Sequence, residues 1–278
     1  MNAYGVLVQS LDFGRSNTLH PDNLTTYSAF ESKPSTRDHR LLKYLFSVGL
    51  LLFTVLCQAE ELAIALHPFK STYKLMGWGI LEVERTVSLS RTNNHYVLTS
   101  INEPRGLALL AGYGQVVEIS KFTTAFSHIQ PLSYRNNDQT GISDLDDSID
   151  FDWDNKLVRS RRKEQSFEFP LVEPVLDPLT VELSARLDLA KGARELTYLV
   201  HEIDQIRTYH ISRLPMETIR VDEHEFVCVH LIVDTERPNR QLHYWMAPEL
   251  AYLPIQIKQF NDGSLEFIAT LISSSLLP

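Results

Sequence analysis

Cysteine is nearly absent from this 278-residue chain, which has only Cys57 and Cys228. Cys57 ends an apolar leader-like run, so Cys228 is alone in the remainder of the chain, and an internal disulfide framework is excluded. Basic charge is also short: 26 Lys and Arg stand against 35 Asp and Glu, for a net charge of −9. That balance argues against nucleic acid as a partner and against electrostatic docking on an anionic membrane. No apolar run reaches bilayer length. The longest, Tyr44 to Cys57, falls short of the roughly 20 residues a spanning helix needs. Catalytic fingerprints are missing too. There is no GxSxG, P-loop, GxGxxG or HExxH, and no Cys/His pair at zinc spacing. The residues therefore nominate no catalytic group, no metal site and no cofactor, and the reading leans away from an enzyme.

What is present begins with an export signal. Arg37, Arg40 and Lys43 precede the apolar run, Cys57-Gln58-Ala59 ends it on small residues, and acidic Glu60 and Glu61 come next. This is the order of a basic, an apolar and a cleavage region. It predicts a signal peptide at 41–59, cleaved after Ala59, and a periplasmic product with no stable membrane span after cleavage. An uncleaved anchor lacks the basic flank it needs, and Leu56 before Cys57 disfavours a lipidated cysteine. Residues 1–40 are polar and carry turn formers such as Asn17, Pro21 and Pro34. They are read as a disordered or mis-annotated extension, with translation starting at Leu41 or Leu42. Residues 60–278 are read as a single β domain, long enough to bury a core without staples.

From there the hydrophobic pattern has period two. Leu81, Val83, Val87 and Leu89 alternate with Glu82, Glu84, Thr86 and Ser88, and Val227, Val229, Leu231 and Val233 repeat every second residue. Such alternation describes a sheet with one face on a core and one toward water. Strands are predicted near 69–76, 80–90, 95–102, 115–126, 131–137, 147–153, 156–161, 166–169, 194–201, 205–213, 226–235, 241–246, 254–260 and 264–272. Asn261-Asp262-Gly263 marks a hairpin between the last two. Arg105 to Ala111 is predicted as a short helix. Asp177 to Lys191 is predicted as the one substantial helix, with Asp177 as its N-cap, Gly192 as its stop, and an apolar stripe of Leu179, Leu183, Leu187 and Ala190. The expected fold is mainly β: a large curved antiparallel sheet, barrel or half-barrel, with one capping helix near 177–191. A two-sheet sandwich is the alternative.

Several motifs in this order resemble a known family. They are Phe69, Tyr73, Gly77 and Gly79 in the opening strand and turn; Gly106-Leu107-Ala108; and Asp150-Phe151-Asp152-Trp153. Asp177-Pro178-Leu179 and Glu195-Leu196-Thr197-Tyr198 come next. Trp245-Met246-Ala247-Pro248 and Tyr252-Leu253-Pro254-Ile255-Gln256-Ile257 close the set. Over about residues 66–273 the chain resembles the exported bacterial family catalogued as domain of unknown function 3108. The resemblance implies a β-protein of the Gram-negative envelope and carries no catalytic residue with it. Glu249, where similar sequences tend to have Asp, and Met246, where Leu is usual, are departures without chemical consequence.

The remaining candidates are few. Asp150, Asp152 and Asp154 begin like a calcium loop, but Asn155 and Arg161 stand where it needs Gly and Glu. Alternation places these aspartates on a solvated sheet face. Cys228 reads as a packed thiol, with His230 on the same strand face. His201, His210 and His243 fall on predicted strands, and nothing in the sequence brings them together. Glu82 and Glu84 share a strand face, as paired carboxylates of a hydrolase would. In a curved sheet the concave face is a core or an aromatic-lined pocket. Trp78, Tyr113 and Trp245 are the residues expected to line such a pocket. The leading functional expectation is a non-catalytic binder or carrier of an apolar or amphiphilic, lipid-like envelope ligand. A structural protein working through an envelope protein partner is the second, and an enzyme on cell-wall or polysaccharide material the third.

Overall fold

The structure, a computed structural model, describes residues 66–125, 128–138 and 146–277. The signal-like run at 41–59 and the extension at 1–40 lie outside the described residues. Every predicted strand is found. In order they are β1 (Phe69–Gly77), β2 (Leu81–Thr92), β3 (His95–Arg105), β4 (Val116–Ala125), β5 (His128–Asp138), β6 (Asp146–Asp152), β7 (Leu157–Arg162) and β8 (Gln165–Pro170). After β9 (Val175–Leu176) come β10 (Leu196–Glu202), β11 (Gln205–Val221), β12 (His224–Asp234), β13 (Arg240–Ala247), β14 (Leu253–Asn261) and β15 (Ser264–Ser274). The two helices are α1 (Gly106–Leu110) and α2 (Thr180–Ala190). Two features differ from the sequence expectation. Strand β9 is too short to carry a period. Strand β11 runs eight residues past its predicted end at 213, because a bulge between Leu214 and Glu217 absorbs the residue that breaks the alternation.

All fifteen strands form one sheet in the order β8-β7-β6-β5-β4-β3-β2-β1-β15-β14-β13-β12-β11-β10-β9. The pairing is antiparallel throughout, except that β9 runs parallel to β10. The sheet is a plain meander entered from its middle. The chain starts at β1, walks hairpin by hairpin out to the β8 edge, crosses to the other edge, and walks back to β15 beside β1. The crossing, residues 171–174, leads into β9 at the far edge, and α2 follows on the connection from β9 to its parallel neighbour β10, where it lies in the concavity of the sheet. Among the described residues no backbone ladder joins the two edges. Side chains bridge them: Ser160 Oγ donates to the Ile203 carbonyl, Arg162 Nη1 lies 3.9 Å from Asp204, and His201 sits 5.0 Å from the Phe169 ring and 6.1 Å from that of Phe151.

Helix α2 is set by Asp177. Its Oδ1 accepts from the backbone N–H of Leu179 (2.9 Å) and of Thr180 (3.0 Å), and its Oδ2 accepts from Ser120 Oγ on β4 (2.6 Å). One buried carboxylate thus satisfies the first helical donors and ties the helix to the wall. The far end stops as expected: Gly192 takes φ 82° and the Ala193 N–H bonds back to the Asp188 carbonyl. The predicted stripe is a third of what is buried. Leu179, Leu183 and Leu187 face the core, whereas Ala190 is exposed, and Val181, Ser184, Ala185, Arg186 and Leu189 are buried as well. A helix buried nearly all round is a plug inside the barrel.

Candidate functional site

The inner wall changes character along its length. Beside α2 it is apolar, with Phe69, Val87, Leu98, Phe122, Ile211 and Leu231. Towards one end of the barrel it turns polar: Ser100, Asn102, Glu118, Asn136, Asp138 and Asp147 point inward from β3 to β6 and are almost wholly buried. The registers fix which end this is. Gly77 pairs with Leu81 and with Phe267, Val116 with Asp138, and Arg240 with Asn261, so the polar wall lies at the β1–β2, β12–β13 and β14–β15 turns. An inner face greasy at every second residue, which the strand patterns suggested, therefore holds for one half of the barrel only.

Between α2 and the wall, where the two halves meet, lies a cavity of about 120 Å³. Val87, Leu98, Leu183, Ile211, Val233 and Met246 supply its apolar lining, and Arg85, Arg186, Arg237, Arg240, Glu118 and Glu182 its charged lining. Most of these charges are engaged. Arg237 Nη2 donates to Glu202 (2.7 Å), a carboxylate that also accepts from Arg207 Nε and Tyr209 Oη. Arg240 Nη2 donates to Gln259 (2.7 Å), and Glu118 accepts from Tyr134 Oη (2.8 Å). Arg186 donates from Nε to the Ala251 carbonyl and lies over the Phe69 ring. Arg85 is different. Its guanidinium makes no hydrogen bond or ion pair with any described residue, and its Nε is sealed from solvent. Burial raises the Glu118 carboxyl above the usual range, and Arg85 opposes that shift. Burial does the same to Glu182, against Arg85 and Arg186.

A family model of a protein of unknown function, DUF3108, matches residues 72–270, from within β1 to within β15. The chain belongs to this family. No curated protein matches this DUF3108 chain. Solved structures similar to it include two uncharacterised bacterial proteins. One is the beta-barrel-like protein of domain of unknown function DUF1849 from Brucella abortus, 8% identical with TM-score 0.48, the match covering 75% of this chain and 97% of that one. The other is a protein with a YmcC-like fold from Bacteroides fragilis, 11% identical with TM-score 0.28, covering 74% and 95%.

The three residues expected to line a pocket in the DUF3108 chain are not brought together, and none lines the cavity. Trp78 is 48% exposed in the β1–β2 turn, at φ 45°. Tyr113 packs its half-buried ring on the core after α1. Trp245 is buried on the convex face of β13, stacked on His230 at 4.3 Å, with Nε1 donating to Glu217 Oε2 (2.9 Å) and Lys258 Nζ over its ring. There the sheet assembles a chain no spacing announced. His230 Nδ1 lies 2.7 Å from Glu217 Oε1, and His230 Nε2 lies 3.0 Å from His243 Nδ1. Glu217 is held below the usual carboxylate range, chiefly by the Trp245 N–H. His243 is lowered by burial and by the charges of His230 and Lys258. Among the described residues no cluster of His, Cys, Asp or Glu is arranged to hold a metal.

The other candidates resolve as ordinary surface or core. Glu82 pairs with Lys74 and Glu84 with Arg105. Asp150 pairs with Arg135, and Asp152 caps the Asn155 turn. A shallow depression over β6 to β8 has its own charges matched, Arg159 to Glu168 among them. Cys228 is fully buried, and burial pushes its thiol up to about 12. It is expected to resist alkylating reagents in the native protein and to react only on denaturation, as mass spectrometry of the labelled peptide would show.

Proposed function

We propose that the protein is a non-catalytic binder, exported to the periplasm, that holds a small amphiphilic molecule between α2 and the barrel wall. The observation that carries this reading is the two-faced cavity. One side is aliphatic and the other carries guanidinium groups, the pairing an amphiphile requires. Size limits the guest. A cavity of about 120 Å³ is comparable to the engineered core cavity of roughly 150 Å³ that takes benzene, and it is far below what a whole lipid occupies. Export rests on the signal-like run at 41–59 and on the family resemblance. Among the described residues no helix is long and apolar enough to cross a membrane.

One surface favours a second reading, that of an envelope interaction protein. At the turn end, Trp78 and Ile80 and the α1 residues Leu107, Leu109 and Leu110 are all exposed. Native mass spectrometry of the protein purified from periplasm separates the two. A small-molecule adduct is expected. Ligand-free spectra would end the binder reading, and a stoichiometric protein partner in its place would establish the second.

A further inference from the structure

The proposed binding reading leaves the ligand's polar end open, and the charges around the cavity decide it. Four arginines and two glutamates line it, and Arg237 is already ion-paired with Glu202 outside the lining, which leaves three arginines against two glutamates, a formal excess of one positive charge. A partly desolvated excess of one sign recruits the opposite sign far more strongly than it would at the surface. Three of the arginines have structural duties: Arg186 to the Ala251 carbonyl, Arg237 to Glu202 and Arg240 to Gln259. Arg85 has none. It reaches from β2 into the cavity without a hydrogen bond or ion pair to any described residue. A guanidinium with a sealed Nε and no such contact is costly for a fold to keep for stability alone. A second feature points the same way: Thr235, 4% exposed, lines the same cavity, and its Oγ1 has no hydrogen-bond partner among the described residues.

We infer that the cavity is an anion site, in which Arg85 receives the carboxylate of a small amphiphile whose apolar part lies on the Val87, Leu98, Leu183 and Met246 wall. Guanidinium matches carboxylate geometry through two parallel N–H donors, and the Thr235 hydroxyl can donate a third bond. The inference rests on the binder reading, and its test separates the two.

Benzoate and benzyl alcohol have nearly the same volume, suit the cavity's size and differ in charge. Binding of each to the full folded chain is measured by isothermal titration calorimetry at pH 7. Benzoate is expected to bind at least about tenfold more tightly than benzyl alcohol, the size of one charge-assisted pair of hydrogen bonds. R85Q is expected to erase that difference by weakening benzoate and leaving benzyl alcohol unchanged, and R85K to keep part of it. Equal affinity of the wild-type protein for both probes overturns the anion site and leaves the binding cavity standing. Binding of neither overturns the cavity as a ligand site. The wild-type comparison decides by itself should R85Q fail to fold, and the melting temperatures of both variants report on that.

Discussion

Asp177→Ala is expected to lower the unfolding free energy by about 3 kcal/mol, from three buried donors losing their acceptor at roughly 1 kcal/mol or more each. The side chain serves the N–H groups of Leu179 and Thr180 and the Ser120 hydroxyl, and the residue is fully buried. A helix cap at the surface is worth about 1 kcal/mol. Here the same residue also fastens the plug to β4, so the loss propagates to the packing of Leu179 and Leu183. Asp177→Asn keeps an acceptor for the helix and is expected to cost only about 1 kcal/mol. Urea denaturation of the two variants at pH 7 makes the comparison, and a loss under 1 kcal/mol for the alanine variant would mean that α2 is held by its apolar contacts alone. Burial pushes the Asp177 carboxyl up to about 6. The folded state then holds this proton more tightly than the unfolded chain does, so the group's contribution to stability declines as pH rises from about 4 to about 6.

Acidification is expected to act in the opposite direction through His201. Burial pushes this imidazole down to about 4, against the raising influence of its own backbone and of Asp204 and Glu202. Neither ring nitrogen has a hydrogen-bond partner among the described residues, and the rings of Phe169 and Phe151 meet it edge-on. The unfolded chain takes up the proton near pH 6.5, and the folded chain does so only near 4. Stability is therefore lost as pH falls through that window, by on the order of 3 kcal/mol in all. His201→Leu removes the titration and keeps an apolar side chain of similar bulk in the same place. It is expected to match or exceed the wild type at pH 7 and to be more stable by roughly 2 kcal/mol near pH 4.5, because two unpartnered nitrogens are gone and no proton is taken up. Thermal melts of both proteins between pH 4 and 7 test this, and parallel pH slopes would exclude His201 as the responsible group. The location sharpens the consequence. His201 lies where the two sheet edges meet through side chains alone, so that seam is the part of the barrel that acid loosens first.

The strands were legible because the sheet is built from hairpins, and each hairpin writes its own alternation and its own turn. Leu265, Phe267 and Ala269 pair with the strand just before them, and the Asn261-Asp262-Gly263 turn announces the reversal. The site was not legible, since it depends on which strand meets which across the interior. Arg85 and Arg237 lie about 150 positions apart in the chain, and no local pattern relates them. One signal was available in principle. Ser100, Asn102, Glu118 and Asn136 fall on the same strand parity as Leu98, Phe122 and Tyr134, so polar residues occupying inward positions mark a lined space. Aromatic residues were a poor guide for the reverse reason. Trp245 sits on outward parity, and its burial comes from His230 and Lys258 on neighbouring strands.

Entering the sheet from its middle leaves β1 and β15 as neighbours, with the Ser275 N–H bonded to the Lys70 carbonyl. Residues 66 and 277 consequently emerge side by side, at the pole opposite the β1–β2 and β14–β15 turns. A tether or affinity handle attached at either point leaves the turn-side pole unobstructed. A short linker could also splice the two points together, with fresh ends opened at the Asn93-Asn94 turn, giving a circularly permuted version of the same barrel for display on a surface in a defined orientation.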